Sequence, residues 1–380
     1  MAKKILYIAN FIFQGNHSFF KSSMQAAKEL GYEFHLAANF NHVTEKERKS
    51  YEERYGIQTH QVDFKESPLH PANLKTFVQL RNIIQAESIE KVHCNTPVGG
   101  VYGRLAAKSC GIKDIIYQAH GFHFYKGAPK LVWLLFYPIE KCLSRLTSTL
   151  VTINQEDYQL AKRKFRSSRV ELVNGVGFEK QVTQDKCTIK AFKQELGLRE
   201  DACICLSLGQ LNDNKNHLTL LKAIKELGTL DIQYLIAGEG EQEQTLLNYI
   251  HTNHLEERVK LLGYRSDVHD LLAIADVFCL PSKREGLSVA LMEAMAASLP
   301  CIVSDIRGNQ DLVDEQKGGY LVPTLDAKAY AEALKRVARD AALRKEMGAY
   351  NQEKVKQFSF SKVKEQMKRV YAQEEEANNE

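Results

Sequence analysis

Short apolar runs alternate with helix-periodic segments along this whole chain, and that alternation limits what it can fold into more than any other feature. Residues 4–9 read as a first buried strand, residues 22–31 as a helix ending in glycine, and residues 32–37 as the next strand. Residues 91–94, 114–117 and 149–153 continue the series. Strands buried on both faces read as continuous apolar runs, because helices cover both sides of a parallel sheet. The rhythm restarts after residue 185 with a strand at 202–207, a helix at 218–227, and strands at 231–237, 259–262, 277–280 and 301–303. The expectation is an α/β chain of two Rossmann-like domains, residues 1–173 and 191–359. Residues 174–190, with Gly175, Gly177 and weak periodicity, read as the linker. Ligands of such sheets lie outside the carboxyl ends of the strands, so two facing domains imply an interdomain cleft.

Composition narrows the function classes. The 380 residues are 44% hydrophobic and 26% charged, ordinary for a globular protein of two domains. No signal-peptide pattern is visible, and the apolar run at 131–139 is too short to span a bilayer. Eight scattered cysteines without a Cys-x-x-Cys fit a reducing cytoplasm rather than a disulfide or zinc framework, and Cys203 and Cys205 read as strand packing residues. The net charge of +4 hides an asymmetry: residues 1–185 carry +8 and the remainder −4. A basic first half suits an anionic membrane or a phosphorylated acceptor. No basic tract with interleaved aromatics is present, so nucleic acid is not an expected partner.

The chemistry concentrates in Glu285-Gly286-Leu287-Ser288 and the helix expected after it, which carries Glu293. If both glutamates were helical they would lie near one face, about 12 Å apart along the axis. Free backbone N–H groups and the positive end of the dipole at a helix start suit a phosphate. One carboxylate then suits hydroxyls of a transferred sugar and the other those of a ribose. Further candidates follow other strands of the second half. Gly209-Gln210 leads to Lys215, a mobile cation for a diphosphate. Gly238 and Gly240 allow close backbone approach, and position 243 is Glu, so the dinucleotide fingerprint fails. Gly263 and Arg265 stand where they could border a nucleobase.

In the first half, His120 and His123 leave a strand beside Gly121 and aromatic residues. Lys126, Lys130 and Trp133 follow, then Lys141 and Arg145 around the apolar stretch 131–139. The stretch reads either as a core helix or as a helix docked at a membrane interface.

Together these motifs make the chain similar to family 4 of the glycosyltransferases, with the GT-B fold, along essentially its whole length. The most specific element is Glu285-x7-Glu293. The segments 120–129 and 137–140 resemble the subgroup that builds bacterial capsular, exopolysaccharide and O-antigen repeat units. The resemblance implies a retaining transferase with a UDP-sugar donor in the second domain and an undecaprenyl-diphosphate-linked saccharide acceptor in the first. It implies that Glu285 contacts the donor sugar, Glu293 the ribose, Lys215 the diphosphate, and His120 the sugar's reacting face. Gly209, Gln210, Gly238, Gly240, Gly263, Arg265, Gly286, Leu287 and Ser288 complete the implied donor site. Asn10, Gly15, His17, His123, Lys126, Lys130 and Trp133 fall on the implied acceptor and membrane side. A final helix within 360–380 is expected to return to the first domain.

Two positions depart from the family pattern. Gln210 stands where an arginine is usual, and residues 10–17 lack the usual glycine pair. No Asp-x-Asp occurs, so the implied chemistry is metal-independent, with no cofactor and with the nucleotide sugar as substrate. The expected location is the cytoplasm, peripherally at the inner face of the cell membrane. A non-hydrolysing UDP-sugar 2-epimerase and an inactive nucleotide-sugar-binding subunit are the competing readings.

Overall fold

The computed structural model describes residues 2–13, 18–67, 70–179 and 186–377. The chain divides into two compact units: residues 1–177 with 360–380, and residues 178–359. The first unit contains strands β1 (Lys4–Phe13), β2 (Glu33–His42), β3 (Gln58–Gln61), β4 (Lys91–Asn95), β5 (Asp114–Ala119), β6 (Thr149–Thr152) and β7 (Arg169–Leu172). They form one parallel sheet in the order β3-β2-β1-β4-β5-β6-β7. The second contains β8 (Cys203–Leu208), β9 (Ile232–Ala237), β10 (Val259–Leu261), β11 (Val277–Leu280), β12 (Cys301–Ser304) and β13 (Gly319–Val322), also parallel, in the order β10-β9-β8-β11-β12-β13.

Period-two alternation explains why these strands look uniformly apolar. In β1, Ile5, Tyr7 and Ala9 enter the core on one face of the sheet, while Leu6 and Ile8 enter the core on the other. In β8, Cys203 and Cys205 face one layer and Ile204, Leu206 and Leu208 the opposite one. Both cysteines are free thiols, used as small packing residues.

The sequence misses three strands, β3, β7 and β13. Each is a four-residue edge strand only partly buried, so its alternation is short and weak. The expected linker contains the boundary between the units. The boundary between the units falls after Gly177, and a helix, Lys186–Glu195, begins inside the 174–190 segment. Residues 180–185 lie outside the described residues.

The last helix, Phe360–Ala377, buries Val363, Met367, Val370 and Tyr371 in the first unit's core with Phe20, Met24 and Ala27. Lys91, at the start of β4, donates to the Tyr371 carbonyl at 2.5 Å and pairs with Asp114 at 2.7 Å. A buried lysine needs such partners, and here they fasten the helix to the sheet. In both sheets the strand order reverses once, between β1 and β4 and between β8 and β11. Loops diverge there and leave a crevice for a ligand.

Candidate active site

In the second unit the loops after β8 and β11 meet beside the reversal point. Asn214 accepts the Lys283 N–H on its carbonyl at 2.7 Å, and its amide donates to the Arg284 carbonyl at 3.0 Å. Asn216, held in the left-handed region at φ 55°, donates to the Pro281 carbonyl at 3.0 Å. Lys283 also pairs with Asp213 at 2.6 Å. These bonds bring Lys215 Nζ to 2.7 Å from Glu285 Oε1, both side chains being mostly buried. Seventy residues apart in sequence, the two form one cation–carboxylate unit.

Glu285 is not helical. The helix is Val289–Ala296, and Ser288 is its N-cap, its hydroxyl accepting the Leu291 N–H at 3.3 Å. The expectation of two carboxylates on one helical face is therefore corrected: Glu285 sits in the loop and Glu293 alone is on the helix. The physical reason is the cap. A serine that satisfies a free N–H of the first turn outcompetes continuation of the helix backwards through Gly286.

Glu293 is partly buried between Met292 and Ala294, both fully buried. Burial pushes its carboxyl up to about 6, and among the described residues it has neither a hydrogen bond nor an ion-pair partner. An acceptor without a donor, kept in an apolar helix, is what a ligand hydroxyl would satisfy.

Two glycines enforce close backbone approach. A Cβ on Gly238 would sit 1.9 Å from the Gly209 carbonyl oxygen. A Cβ on Gly308, at φ 78°, would sit 2.3 Å from the Gly286 carbonyl oxygen. Gly308 follows β12, packs against the glycine next to Glu285, and was missed in the sequence, where it lacks a neighbouring motif.

Beside these loops an open cavity of about 400 Å³ is lined by Gly209, Gln210, Gly238, Tyr264 and Arg265 among others. Gln210 accepts the Asn212 side-chain amide at 3.0 Å and brings no cation. Arg265 is held bidentate by Asp267, which already counters its charge. Arg284 is exposed. Tyr264 is 76% exposed at the cavity's edge. Gly240 packs on the Leu211 carbonyl, Gly263 turns at φ 64°, and Leu287 packs on the core.

In the first unit a polar network occupies the carboxyl ends of β1, β4 and β5. Asn10 Oδ1 accepts the Thr96 hydroxyl at 2.6 Å and the Gly99 N–H at 2.7 Å. Asn10 thus ties β1 to the helix Pro97–Ser109. His120 Nε2 lies 3.1 Å from Asn95 Oδ1, and its ring packs on Phe19 at 4.6 Å between centroids. An amide oxygen can only accept, so Nε2 carries the proton and Nδ1 is left as an acceptor. Burial pushes His120 down to about 4, keeping it neutral at physiological pH. Thr96 has φ 63° and ψ 161°, a region nearly reserved for glycine. Asn95 and Thr96 were missed in the sequence. Their signal is an Asn-Thr-Pro at the strand-to-helix turn.

Most of the other residues expected on the acceptor side follow β5 in the chain. His123 stacks on Phe136 at 4.9 Å. Trp133 is turned inward, donating its indole N–H to the Tyr125 carbonyl at 3.2 Å and packing on Phe124 and Tyr137. A ring this large gains from burial with its N–H satisfied. Lys126 and Lys130 are exposed. Gly15 and His17 lie outside the described residues. No helix among the described residues is long and apolar enough to cross a membrane.

Comparison with known proteins joins the two units into one reading. The family described as Glycosyl transferase 4-like matches residues 4–155, and Glycosyl transferases group 1 matches residues 188–354. EpsD of Bacillus subtilis strain 168, named as a glycosyltransferase, is 34% identical over 98% of this chain and 97% of its own. An Escherichia coli protein named UDP-Gal:alpha-D-GlcNAc-diphosphoundecaprenol alpha-1,3-galactosyltransferase is 31% identical over 71% of this chain and 72% of its own. Among solved structures, Anabaena HepE in complex with UDP superposes with a TM-score of 0.80 at 16% identity, covering 97% of this chain and all of that one. The chain belongs to the bacterial family-4 glycosyltransferases and has their GT-B fold.

Proposed function

We propose that this glycosyltransferase moves a hexosyl or N-acetylhexosaminyl group, with retention of configuration, from a UDP-sugar to an undecaprenyl-diphosphate-linked saccharide. The setting is bacterial surface polysaccharide synthesis at the inner face of the cell membrane. The observation that carries the reading is the Lys215–Glu285 pair joined to a partnerless Glu293 in the same unit. Charge develops on the departing diphosphate as the sugar–phosphate bond breaks. Lys215 and the N-terminal turn of the helix Val289–Ala296 would offset it without a metal.

Glu293 accepts ribose hydroxyls and Glu285 takes sugar hydroxyls once the diphosphate has drawn Lys215 away. The nucleobase lies against Tyr264 in the cavity beside Gly209 and Gly238. His120 Nδ1 serves the donor sugar as a neutral acceptor. Two relatives support the acceptor class. The E. coli enzyme's name specifies a diphosphoundecaprenol acceptor, and a Campylobacter jejuni relative, 35% identical over 42% of this chain, is named for a diphospho-undecaprenol acceptor. The name of the E. coli enzyme gives an alpha-1,3 linkage, which from an alpha-linked nucleotide sugar is retention.

The test is transfer from a panel of UDP-, GDP-, ADP- and dTDP-sugars to a synthetic lipid-diphosphate saccharide in excess EDTA, with the product's anomeric configuration read by NMR. UDP-dependent, alpha-linked product is expected. Activity that vanishes in EDTA and returns with Mg²⁺ or Mn²⁺ overturns metal independence. Conversion of the donor sugar without any acceptor points instead to an epimerase.

A further inference from the structure

The face of β4 and β5 that carries Asn95 and His120 also carries His93 and Gln118. His93 stands two residues before Asn95 on β4, Gln118 stands two before His120 on β5, and Asn95 and Gln118 are register partners. With a period of two, all four side chains leave the sheet on one face. His93, Asn95 and Gln118 are 0%, 0% and 3% exposed. Among the described residues, His93 Nε2, Asn95 Nδ2 and Gln118 Oε1 make no hydrogen bond. Buried polar atoms rarely lack a partner, and these three gather on one patch. Their chemistry is complementary. The Asn95 amide nitrogen only donates, and the Gln118 amide oxygen only accepts, on two lone pairs. Burial pushes His93 down to about 3, so the ring is neutral with one N–H, and the Gln118 amide acts against that shift as an acceptor does. His93 Nδ1 lies 2.7 Å from the hydroxyl of Tyr371, a phenol able to donate to it, which leaves the ring proton for Nε2.

We propose that Gln118 Oε1 takes the hydrogens of both His93 Nε2 and Asn95 Nδ2, and that Gln118 and His93 are thereby positioning residues for His120. Bonds of this kind are often long in a free enzyme and tighten when substrate binds. The consequence lies in the Asn95 amide, whose Oδ1 faces His120 Nε2 at 3.1 Å. Its two ends have nearly the same shape, and the hydrogen bonds around it decide which end meets the histidine. Turned over, it would set oxygen against oxygen at Gln118 and present its nitrogen to His120 Nε2. His120 would then accept there and carry its proton on Nδ1, and the acceptor assigned to the donor sugar would be gone. Gln118 opposes that turn. His93, wedged edge-on against Tyr7 at 4.8 Å between centroids and tied to the last helix through Tyr371, holds Gln118 in place. The inference rests on, and deepens, the reading of His120 Nδ1 as the acceptor that serves the donor sugar.

The full chain is made with isotope-labelled histidine, and long-range proton–nitrogen NMR spectra read the tautomers of His93 and His120. In wild type both rings carry the proton on Nε2. Gln118→Met keeps nearly the same volume and loses the acceptor. His120 then populates both tautomers, and kcat falls about threefold to tenfold, in step with the fraction of His120 that has left the competent form. The donor KM stays within about twofold of wild type. Gln118→Glu keeps an acceptor oxygen and holds His120 in the wild-type tautomer. Packing alone would rank the two variants the other way, because a buried methionine is tolerated better than a buried carboxylate. His93→Phe keeps a ring beside Tyr7, loses the donor, and shifts His120 in the same direction as Gln118→Met. The inference falls if wild-type His93 carries its proton on Nδ1, a result that needs no variant to fold. It also falls if the His120 tautomer in Gln118→Met is that of wild type, or if Gln118→Glu displaces it as far as Gln118→Met does. A shifted His120 tautomer with wild-type kcat sinks the part given to His120 in transfer and leaves the positioning standing. Wild type that transfers no sugar from a UDP donor sinks the proposed donor, and the spectra still decide the positioning.

Discussion

Glu293→Gln separates the cost of the site from its use. Burial pushes the Glu293 carboxyl from an ordinary 4.5 up to about 6. Between those values the native chain holds more protons than the unfolded one, so stability falls as pH rises through the window and is level above it. At about 1.36 kcal/mol per pKa unit, keeping this carboxylate ionised above pH 6 costs about 2 kcal/mol. Glutamine has the same shape and no charge, but its amide must also be desolvated. The net gain at pH 8 should be about 1–2 kcal/mol. For a unit of this size, that raises the melting temperature by about 2–8 °C. Scanning calorimetry at pH 8 and at pH 4.5 measures it: the variant should melt higher at pH 8, and the difference should shrink towards zero at pH 4.5. UDP affinity, measured by titration calorimetry, should fall at least about tenfold, because an amide nitrogen cannot accept a ribose hydroxyl's hydrogen. A variant that melts below wild type at pH 8, or whose advantage is equal at both pH values, refutes the electrostatic argument. A stabilised variant with unchanged UDP affinity refutes the ribose assignment.

Three further outcomes follow from the same geometry. Glu285→Ala should abolish transfer yet bind UDP about three- to tenfold more tightly, about 1 kcal/mol, because Lys215 no longer has to leave its carboxylate; weaker UDP binding in a titration would show that the pair supports the site rather than competing with it. Asn95→Asp places a carboxylate beside His120 and should raise the histidine's pKa by about 1–3 units, moving the acid limb of the kcat profile to higher pH. Asn95→Ala should lower kcat without moving that limb, and superimposable profiles for Asn95→Asp and wild type would remove Asn95 from any positioning role. Gly308→Ala should destabilise the second unit by at least about 2 kcal/mol and weaken UDP binding, since its Cβ would meet the Gly286 carbonyl at 2.3 Å; an unchanged melting temperature would disprove the close approach.

Much of this was legible from one dimension. Strands apolar on both faces, interrupted by helical periods, specify parallel sheets between helix layers, because each face of each strand needs a separate apolar cover. The central strands and the edge strand β10 were found this way, and the edge strands β3, β7 and β13 were not, since partial exposure breaks their short apolar runs with polar residues. The residues of the second-unit site were legible because each follows a strand, and in a parallel sheet all those carboxyl ends lie on one side. Helix geometry misled for Glu285, because a single serine cap decides where a helix starts, and spacing alone does not show it.

The sequence by itself determined the fold class, the two sheets and the residues with chemistry at their strand ends, since apolar periodicity and turn residues act over a few neighbours. Only the tertiary structure decided which of those residues meet. Lys215 reaches Glu285 across seventy residues because β8 and β11 are neighbours in the sheet, a pairing that local pattern does not encode. His120 acquires its tautomer from Asn95 because β4 and β5 lie side by side. The helix Lys130–Leu143 is apolar all round in the sequence, and only packing decided that its aromatic side is core while its leucines face outward. The physical reason is common to all three: contact energies depend on distance in space, and strand order and helix rotation, which set that distance, are fixed by the whole core at once.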